Sequence, residues 1–124
     1  MKPCVLVVDD DDDVREVTLI ALETVGGWSV LPASGGHEAI GLAREHRPDL
    51  VLLDVMMPDL DGPATFRLLR ADESTRDIPV VLLTAKVQAG DRQVWDHLDV
   101  AGVIPKPFDP MTLADQVSRV LGWS

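Results

Sequence analysis

Short runs in which every residue is apolar recur along the chain. They cover residues 5–8, 50–53, 80–83 and 103–104. Continuous apolar runs of this length are typical of strands that are buried on both faces, as in a parallel sheet. A weaker run at residues 28–31 predicts a further strand, and Pro32 indicates that this strand lies at an edge of the sheet or ends there. The pattern therefore predicts five strands.

Amphipathic stretches with near-helical spacing separate these runs. We predict helices over residues 14–25, between Gly36 and Pro48, around Phe66, and over residues 90–100. A last helix is predicted to start near Pro110 and to bury four apolar residues, which are Leu113, Val117, Val120 and Leu121. Regular alternation of strands and helices predicts five βα units, and right-handed crossovers then place helices on both faces of a parallel sheet.

The length and charge of the chain restrict what it does. A chain of 124 residues fits one domain, so we expect residues 1–124 to fold as a single unit without an output domain. The formal net charge of -10 disfavours direct binding to nucleic acid or to anionic lipid. We find no signal peptide and no apolar stretch of membrane-spanning length. The single Cys4 suits a reducing compartment, and we expect a cytoplasmic protein.

Polar residues stand where the apolar runs end. Asp9 and Asp10 follow the first run, Asp54 follows the third strand, Thr84 follows the fourth, and Lys106 comes shortly after the fifth. In an open parallel sheet, ligands bind outside the carboxyl ends of the strands. We therefore expect these carboxylates, the hydroxyl and the ammonium to converge at one edge of the sheet.

These residue types together indicate a metal and phosphoryl site. Carboxylate oxygens suit Mg²⁺ or Mn²⁺. Asp54 ends an apolar strand, where a carboxylate is costly unless it is paired or bound to a metal, and beside a divalent ion it can attack a phosphoryl group. Thr84 and Lys106 could stabilise phosphoryl oxygens, although each alone has an ordinary alternative as a strand-end hydroxyl and a surface lysine. Residues 11–13 are interpreted as a solvated segment, one of whose carboxylates caps the first helix.

Over essentially its whole length, the chain resembles the receiver domain of bacterial two-component response regulators. The resemblance rests on four motifs that occur in the family's order and at similar separations. They are Val7-Val8-Asp9-Asp10, Leu53-Asp54-Val55-Met56-Met57-Pro58-Asp59-Leu60-Asp61-Gly62, Leu83-Thr84-Ala85 and Lys106-Pro107-Phe108. A match of every site residue in order is far more specific than any single motif.

The resemblance implies a fold and a chemistry. The fold would be flavodoxin-like, with strand order 2-1-3-4-5 and helices on both faces. Asp54 would accept a phosphoryl group from a sensor histidine kinase or phosphotransfer protein in a Mg²⁺-dependent reaction. Asp10 and Asp54 would bind Mg²⁺ (or Mn²⁺) directly, with the backbone carbonyl of Met56 as a third ligand, and Asp9 would act through water.

The resemblance also implies a signalling switch rather than an enzyme, one that catalyses only its own phosphorylation and slow dephosphorylation. Thr84 would move toward the phosphoryl group, Lys106 would pair with it, and the Lys106-Pro107 peptide bond would be cis. A downstream protein would bind the surface formed by the predicted fourth helix, the fifth strand and the fifth helix.

One position departs from the family pattern. Val103 stands where the family usually has Tyr or Phe, and the chain contains no Tyr. We therefore expect output to be transmitted by a shift of the predicted helix at residues 90–100, sensed by Trp95. Met56 and Lys86 flank the expected path of the hydrolytic water, so we also expect slow self-dephosphorylation.

Other functions remain open at this point. The chain could be the receiver of a hybrid sensor kinase or of a larger regulator, although the initial Met1 favours a stand-alone protein. A metal-dependent phosphohydrolase also uses an Asp nucleophile on a parallel sheet, but it generally needs a second carboxylate beside the nucleophile, and the residue two positions after Asp54 is Met56. A receiver-like scaffold that is never phosphorylated is the third alternative.

Overall fold

The computed structural model describes residues 2–85 and 99–123, and within them five parallel strands form one sheet. The strands are β1 (Cys4–Val8), β2 (Ser29–Ala33), β3 (Leu50–Asp54), β4 (Val80–Thr84) and β5 (Gly102–Pro105), in the order β2-β1-β3-β4-β5. The predicted fold class and strand order are confirmed. Residues 86–98, which include most of the predicted fourth helix together with Lys86 and Trp95, lie outside the described residues.

Helices cover both faces of this sheet, as predicted. They are α1 (Asp12–Ile20), which continues into a π-helical segment (Ala21–Val25), α2 (Gly36–His46), α3 (Gly62–Ala71) and the C-terminal helix (Leu113–Leu121). One core lies beneath α2 and α3 and includes Leu53 and Phe66. The other lies beneath the π-helical segment and the C-terminal helix and includes Leu52 and Val117. Leu52 and Leu53 belong to opposite cores because successive strand residues point to opposite faces.

The two central strands that carry site residues are buried at every position. In β3 and β4 all five residues are buried, including Asp54 and Thr84. This explains why their sequences read as continuous apolar runs rather than as alternating ones. It also means that the two polar side chains stand at the edge of an apolar layer.

Pro32 lies inside the edge strand β2. The backbone N–H of Ser29 donates to the carbonyl of Pro3, and the carbonyl of Ala33 accepts from the N–H of Asp9, so residues 29 and 33 face the neighbouring strand β1. Alternation along the strand then turns the nitrogen of Pro32 away from β1, where its missing N–H breaks no ladder bond. The prediction that this run lies at a sheet edge is confirmed.

The C-terminal helix differs from its prediction in two respects. It begins at Leu113 rather than near Pro110, because the residues before it form turns. Val120 and Leu121 were expected to be buried, but Val120 is 39% exposed and Leu121 is only partly buried, whereas Leu113 and Val117, one helical turn apart, are buried. Val120 lies at the margin of that buried face and covers Gly102, since a Cβ at Gly102 would lie 2.5 Å from its Cγ1 atom.

Acidic caps start the two helices that follow β1 and β3. The Asp11 carboxylate accepts from the backbone N–H groups of Asp13 and Val14, at 2.9 and 3.2 Å. The Asp61 carboxylate accepts from the N–H of Ala64 at 2.8 Å. Such caps satisfy N–H groups that have no partner inside the helix. The prediction that a carboxylate among residues 11–13 caps the first helix is confirmed, and both loops at the carboxyl end of the sheet are thereby anchored.

Candidate functional site

The carboxyl ends of β1, β3, β4 and β5 meet around one ammonium group. Lys106 Nζ lies 2.8 Å from Asp9 Oδ2 and 3.2 Å from Asp54 Oδ1. Asp9 and Asp54 are buried, and so is Thr84 at the end of the neighbouring strand β4. The Lys106 backbone N–H donates to the Thr84 carbonyl at 2.7 Å, which fixes the start of the Lys106 loop against β4. The Lys106-Pro107 peptide bond is cis, as predicted.

Three carboxylates at this edge are close enough to share a metal ion. Asp9, Asp10 and Asp54 each offer one oxygen, and these three atoms lie within 4.8 Å of one another. Asp9 and Asp54 are buried, whereas Asp10 is exposed. Within the part of the chain that the structure describes, these three carboxylates and the Lys106 ammonium together carry a net charge of about two negative units at neutral pH. Hard oxygen donors with a net charge of this sign and size fit Mg²⁺ or Mn²⁺.

The Asp9 residue is held at several atoms. Its Oδ1 accepts from the backbone N–H of Asp11 at 3.0 Å while its Oδ2 accepts from Lys106. Its backbone carbonyl accepts from Arg15 Nη1 at 2.8 Å. Arg15 was not predicted to belong to the site, and the one indication in the sequence was its position in the first turns of the helix that follows Asp9 and Asp10. Arg15 ties α1 to the loop that carries Asp9 and Asp10.

Gly62 allows the loop between β3 and α3 to pack closely against the end of β3. Its N–H donates to the carbonyl of Val55 at 3.0 Å. A Cβ at this position would lie 2.6 Å from the carbonyl oxygen of Asp54 and 2.8 Å from the Cα of Val55. Backbone atoms cannot move aside as a flexible side chain can, so the close approach requires glycine. The sequence predicted only a turn at Asp61-Gly62.

Burial and neighbouring charges shift the ionisation of the site. Burial, and then the charge of Asp9, raise the pKa of Asp54 from 3.8 to about 6, against the opposing effect of Lys106. Burial alone would lower the pKa of Lys106, but its hydrogen bond to Asp9 and the charges of Asp54 and Asp9 outweigh burial and raise it. At neutral pH Asp54 is therefore mostly a carboxylate and Lys106 is an ammonium.

The shifted pKa of Asp54 predicts a pH-dependent effect of Asp54→Asn on the free energy of unfolding in EDTA. Between pH 3.8 and about 6 the folded protein holds the Asp54 proton more tightly than the unfolded chain, so rising pH removes stability. We expect the free energy of unfolding of Asp54→Asn to match that of the wild type near pH 4. Near pH 7 the free energy of unfolding of this variant should exceed that of the wild type by about 2 to 3 kcal/mol. Urea unfolding across this pH range measures the difference.

Asp59→Asn is the matched control for that experiment. Asp59 is exposed and has a φ of 67°, a conformation that Asn also tolerates. Because Asp59 lies outside the buried site, its replacement should not reproduce the gain of about 2 to 3 kcal/mol near pH 7 that is expected of Asp54→Asn. A difference between Asp54→Asn and the wild type that stays constant with pH, or that shrinks as pH rises, would contradict the assignment of the shift to Asp54.

The chain matches the family model described as the response regulator receiver domain over residues 5–118. It is 36% identical over 117 residues to the phosphate regulon transcriptional regulatory protein PhoB of Pseudomonas aeruginosa, covering 94% of this chain and 51% of PhoB. The chain thus spans about half the length of the curated relatives it matches. Within the described residues, no helix combines the length and apolar character needed to cross a membrane.

Two solved structures extend this similarity to the fold. The chemotaxis protein CheY4 of Vibrio cholerae superimposes with a TM-score of 0.89 at 29% identity, covering 97% of this chain and 99% of CheY4. The receiver domain of the sensor histidine kinase PA1611 of Pseudomonas aeruginosa superimposes with a TM-score of 0.87 at 30% identity, covering 98% of this chain and 99% of that domain. The PA1611 structure is described with a magnesium ion coordinated in its active-site cleft.

Proposed function

This chain belongs to the response regulator receiver family, and we propose that it is a switch in two-component signalling whose phosphoryl acceptor is Asp54. The observation that carries the proposal is the Lys106 ammonium, which contacts the buried carboxylates of Asp9 and Asp54 at the carboxyl end of the sheet. A buried carboxylate beside a lysine and two further acidic residues has the charge needed to receive a phosphoryl group with a divalent cation.

The three carboxylates are the proposed metal site. Asp10 and Asp54 would hold Mg²⁺ directly, together with the backbone carbonyl of Met56, while Asp9 acts through water; Mn²⁺ would fit the same donors. The closeness of the three carboxylate oxygens and the magnesium ion in the similar PA1611 domain support this assignment. When bound, the metal supplies positive charge that offsets the repulsion between the Asp54 carboxylate and phosphoryl oxygens.

The proposed reaction is a transfer from nitrogen to oxygen. A carboxylate oxygen of Asp54 attacks the phosphorus of a phosphohistidine, so that a P–O bond forms and the P–N bond breaks. The electron pair of the broken bond stays on the imidazole nitrogen, which takes up a proton. Lys106 then neutralises a phosphoryl oxygen, and the Thr84 hydroxyl moves to donate a hydrogen bond to another.

The partners follow from this chemistry. The donor would be a sensor histidine kinase or a phosphotransfer protein, and the chain would catalyse only its own phosphorylation and slow dephosphorylation.

We propose that residues 1–124 form a single receiver domain that acts in the cytoplasm. We also propose that this domain binds neither nucleic acid nor membranes directly. Resemblance to the PA1611 domain supports the alternative that the chain is the receiver of a hybrid sensor kinase. The site chemistry is the same in both cases.

The output surface would include β5, the C-terminal helix and the predicted fourth helix. Val103 on β5 is partly buried against the core beneath α2 and α3. An aliphatic side chain cannot reproduce the inward swing of an aromatic ring, so we propose that phosphorylation shifts the predicted fourth helix toward a downstream protein. Amide spectra of residues 85–103 that are the same with and without a phosphoryl mimic would contradict this route.

The proposal is tested by intact mass after incubation with a small acyl phosphate. We expect one phosphoryl group per chain with Mg²⁺ and none in EDTA, because the acceptor and phosphoryl oxygens repel each other without the cation. Absence of an adduct with Mg²⁺ would contradict the switch. Continuous turnover of a generic phosphate ester would instead favour the phosphohydrolase.

A further inference from the structure

Two adjacent methionines after the acceptor strand have opposite environments. Met56 is 59% exposed, whereas Met57 is 8% exposed and packs in the core beneath α2 and α3. The backbone N–H of Met56 donates to Asp54 Oδ1 at 3.4 Å, so the residue stands directly beside the acceptor carboxylate. The residue whose backbone contacts the acceptor carboxylate therefore carries an exposed thioether on three rotatable bonds.

We propose that Met56 is an oxidation site that shortens the lifetime of the phosphoryl group on Asp54. This inference rests on the proposed function of Asp54. The unoxidised side chain is apolar and exposed beside the acceptor, where it hinders water from reaching the acyl phosphate. Its sulfoxide is polar and carries an oxygen that accepts hydrogen bonds, so it would hold water at the same place.

The oxidant is a peroxide. One peroxide oxygen is transferred to the Met56 sulfur, the O–O bond breaks, and the remaining oxygen leaves as water or an alcohol. The sulfur is oxidised and the peroxide is reduced. Two thiols of a reductase return the thioether, forming a disulfide and releasing water, so the modification is reversible. A reversible change of the Met56 side chain from apolar to polar would modulate the lifetime of the phosphoryl group without removing the acceptor.

Oxidation of the other sulfur atoms among the described residues can be distinguished from oxidation of Met56. Cys4 lies at the opposite end of β1, and burial, then the charge of Asp49, raise the pKa of its thiol, which keeps the reactive thiolate scarce. Met57 is buried. Met111 precedes the C-terminal helix and is 67% exposed, so peroxide would oxidise it as well. Met111 is therefore replaced in the experiment.

The experiment compares phosphoryl lifetimes in a Met111→Leu background. The protein is treated with hydrogen peroxide or buffer, the peroxide is removed, and the chain is phosphorylated with a small acyl phosphate and Mg²⁺. We expect peptide masses to show one added oxygen on Met56 and the half-life of the phosphoryl group to fall by about threefold to tenfold, less than a dedicated general base provides. Met56→Gln without peroxide should resemble the oxidised protein.

Met56→Leu and Met57→Leu are the matched variants. Met56→Leu should lose the peroxide response, because it keeps an apolar side chain without sulfur, whereas Met57→Leu should retain it. An unchanged half-life in protein oxidised at Met56, or a full peroxide response in Met56→Leu, would overturn the inference while leaving Asp54 as acceptor. Failure of the untreated protein to become phosphorylated would overturn the proposed function, and this inference with it.

Discussion

Asp54→Asn is expected to abolish phosphorylation of the chain. The amide has nearly the same shape as the carboxylate, but its oxygen is a poor nucleophile and it carries no charge for a divalent cation. Asp9 and Asp54 are both buried and both contact Lys106, and of the three clustered carboxylates Asp54 is the one that ends the central strand β3. Intact mass after incubation with acyl phosphate and Mg²⁺ should show no adduct. The same loss is expected with a phosphorylated histidine kinase as donor.

The control for this loss is again Asp59→Asn, which makes the same chemical change in the same loop. Asp59 is exposed and lies outside the three clustered carboxylates, so this variant should be phosphorylated as fully as the wild type. The folded state of both variants is checked by urea unfolding. An adduct on Asp54→Asn equal to that of the wild type would assign the phosphoryl group to another residue.

Gly62→Ala is expected to destabilise the protein and to disturb the site together. The added methyl group would meet the Asp54 carbonyl oxygen at 2.6 Å and the Val55 Cα at 2.8 Å. Because both neighbours are backbone atoms, the start of α3 must move away from β3. We expect the free energy of unfolding to fall by about 2 to 3 kcal/mol, as for other overpacked positions. Urea unfolding gives this value, and Mg²⁺ titration should show weaker binding.

Gly41→Ala distinguishes that clash from the general effect of removing a glycine. Gly41 lies inside α2, is exposed, and a Cβ there would have no atom within 4 Å. Alanine is the better helix former, so this variant should gain about 0.5 to 1 kcal/mol. Equal stability of Gly62→Ala and the wild type would show that the loop adapts easily, and the conclusion that the close approach at Gly62 requires glycine would then be wrong.

Much of the fold was predictable because strands that are buried on both faces have continuous apolar sequences. Every residue of β3 and β4 is buried, and the corresponding runs were apolar up to Asp54 and Thr84. The edge strand was predicted from Pro32, whose missing N–H is harmless only where no neighbour requires it. Exposure at the margin of a helix was harder to predict, because whether Val120 is covered depends on how closely the helix approaches Gly102.

The candidate site was predictable in composition but not in its contacts. Strand-end positions brought Asp9, Asp54 and Lys106 to the same edge, because carboxyl ends of parallel strands lie together. The sequence did not show that one ammonium contacts both carboxylates, since this depends on where the loop after β5 returns. The hydrogen bond from Arg15 to the Asp9 carbonyl was missed for the same reason.

Chemical identification of the phosphorylated residue shows whether Asp54 is the phosphoryl acceptor. Borohydride reduces an acyl phosphate to an alcohol, which converts the modified aspartate to homoserine. After incubation with acyl phosphate and Mg²⁺, followed by reduction and digestion, peptide masses should show homoserine at position 54. Homoserine at Asp9, Asp10 or another carboxylate, or an unmodified Asp54 in a protein that carries a phosphoryl group, would contradict the proposal that Asp54 is the acceptor.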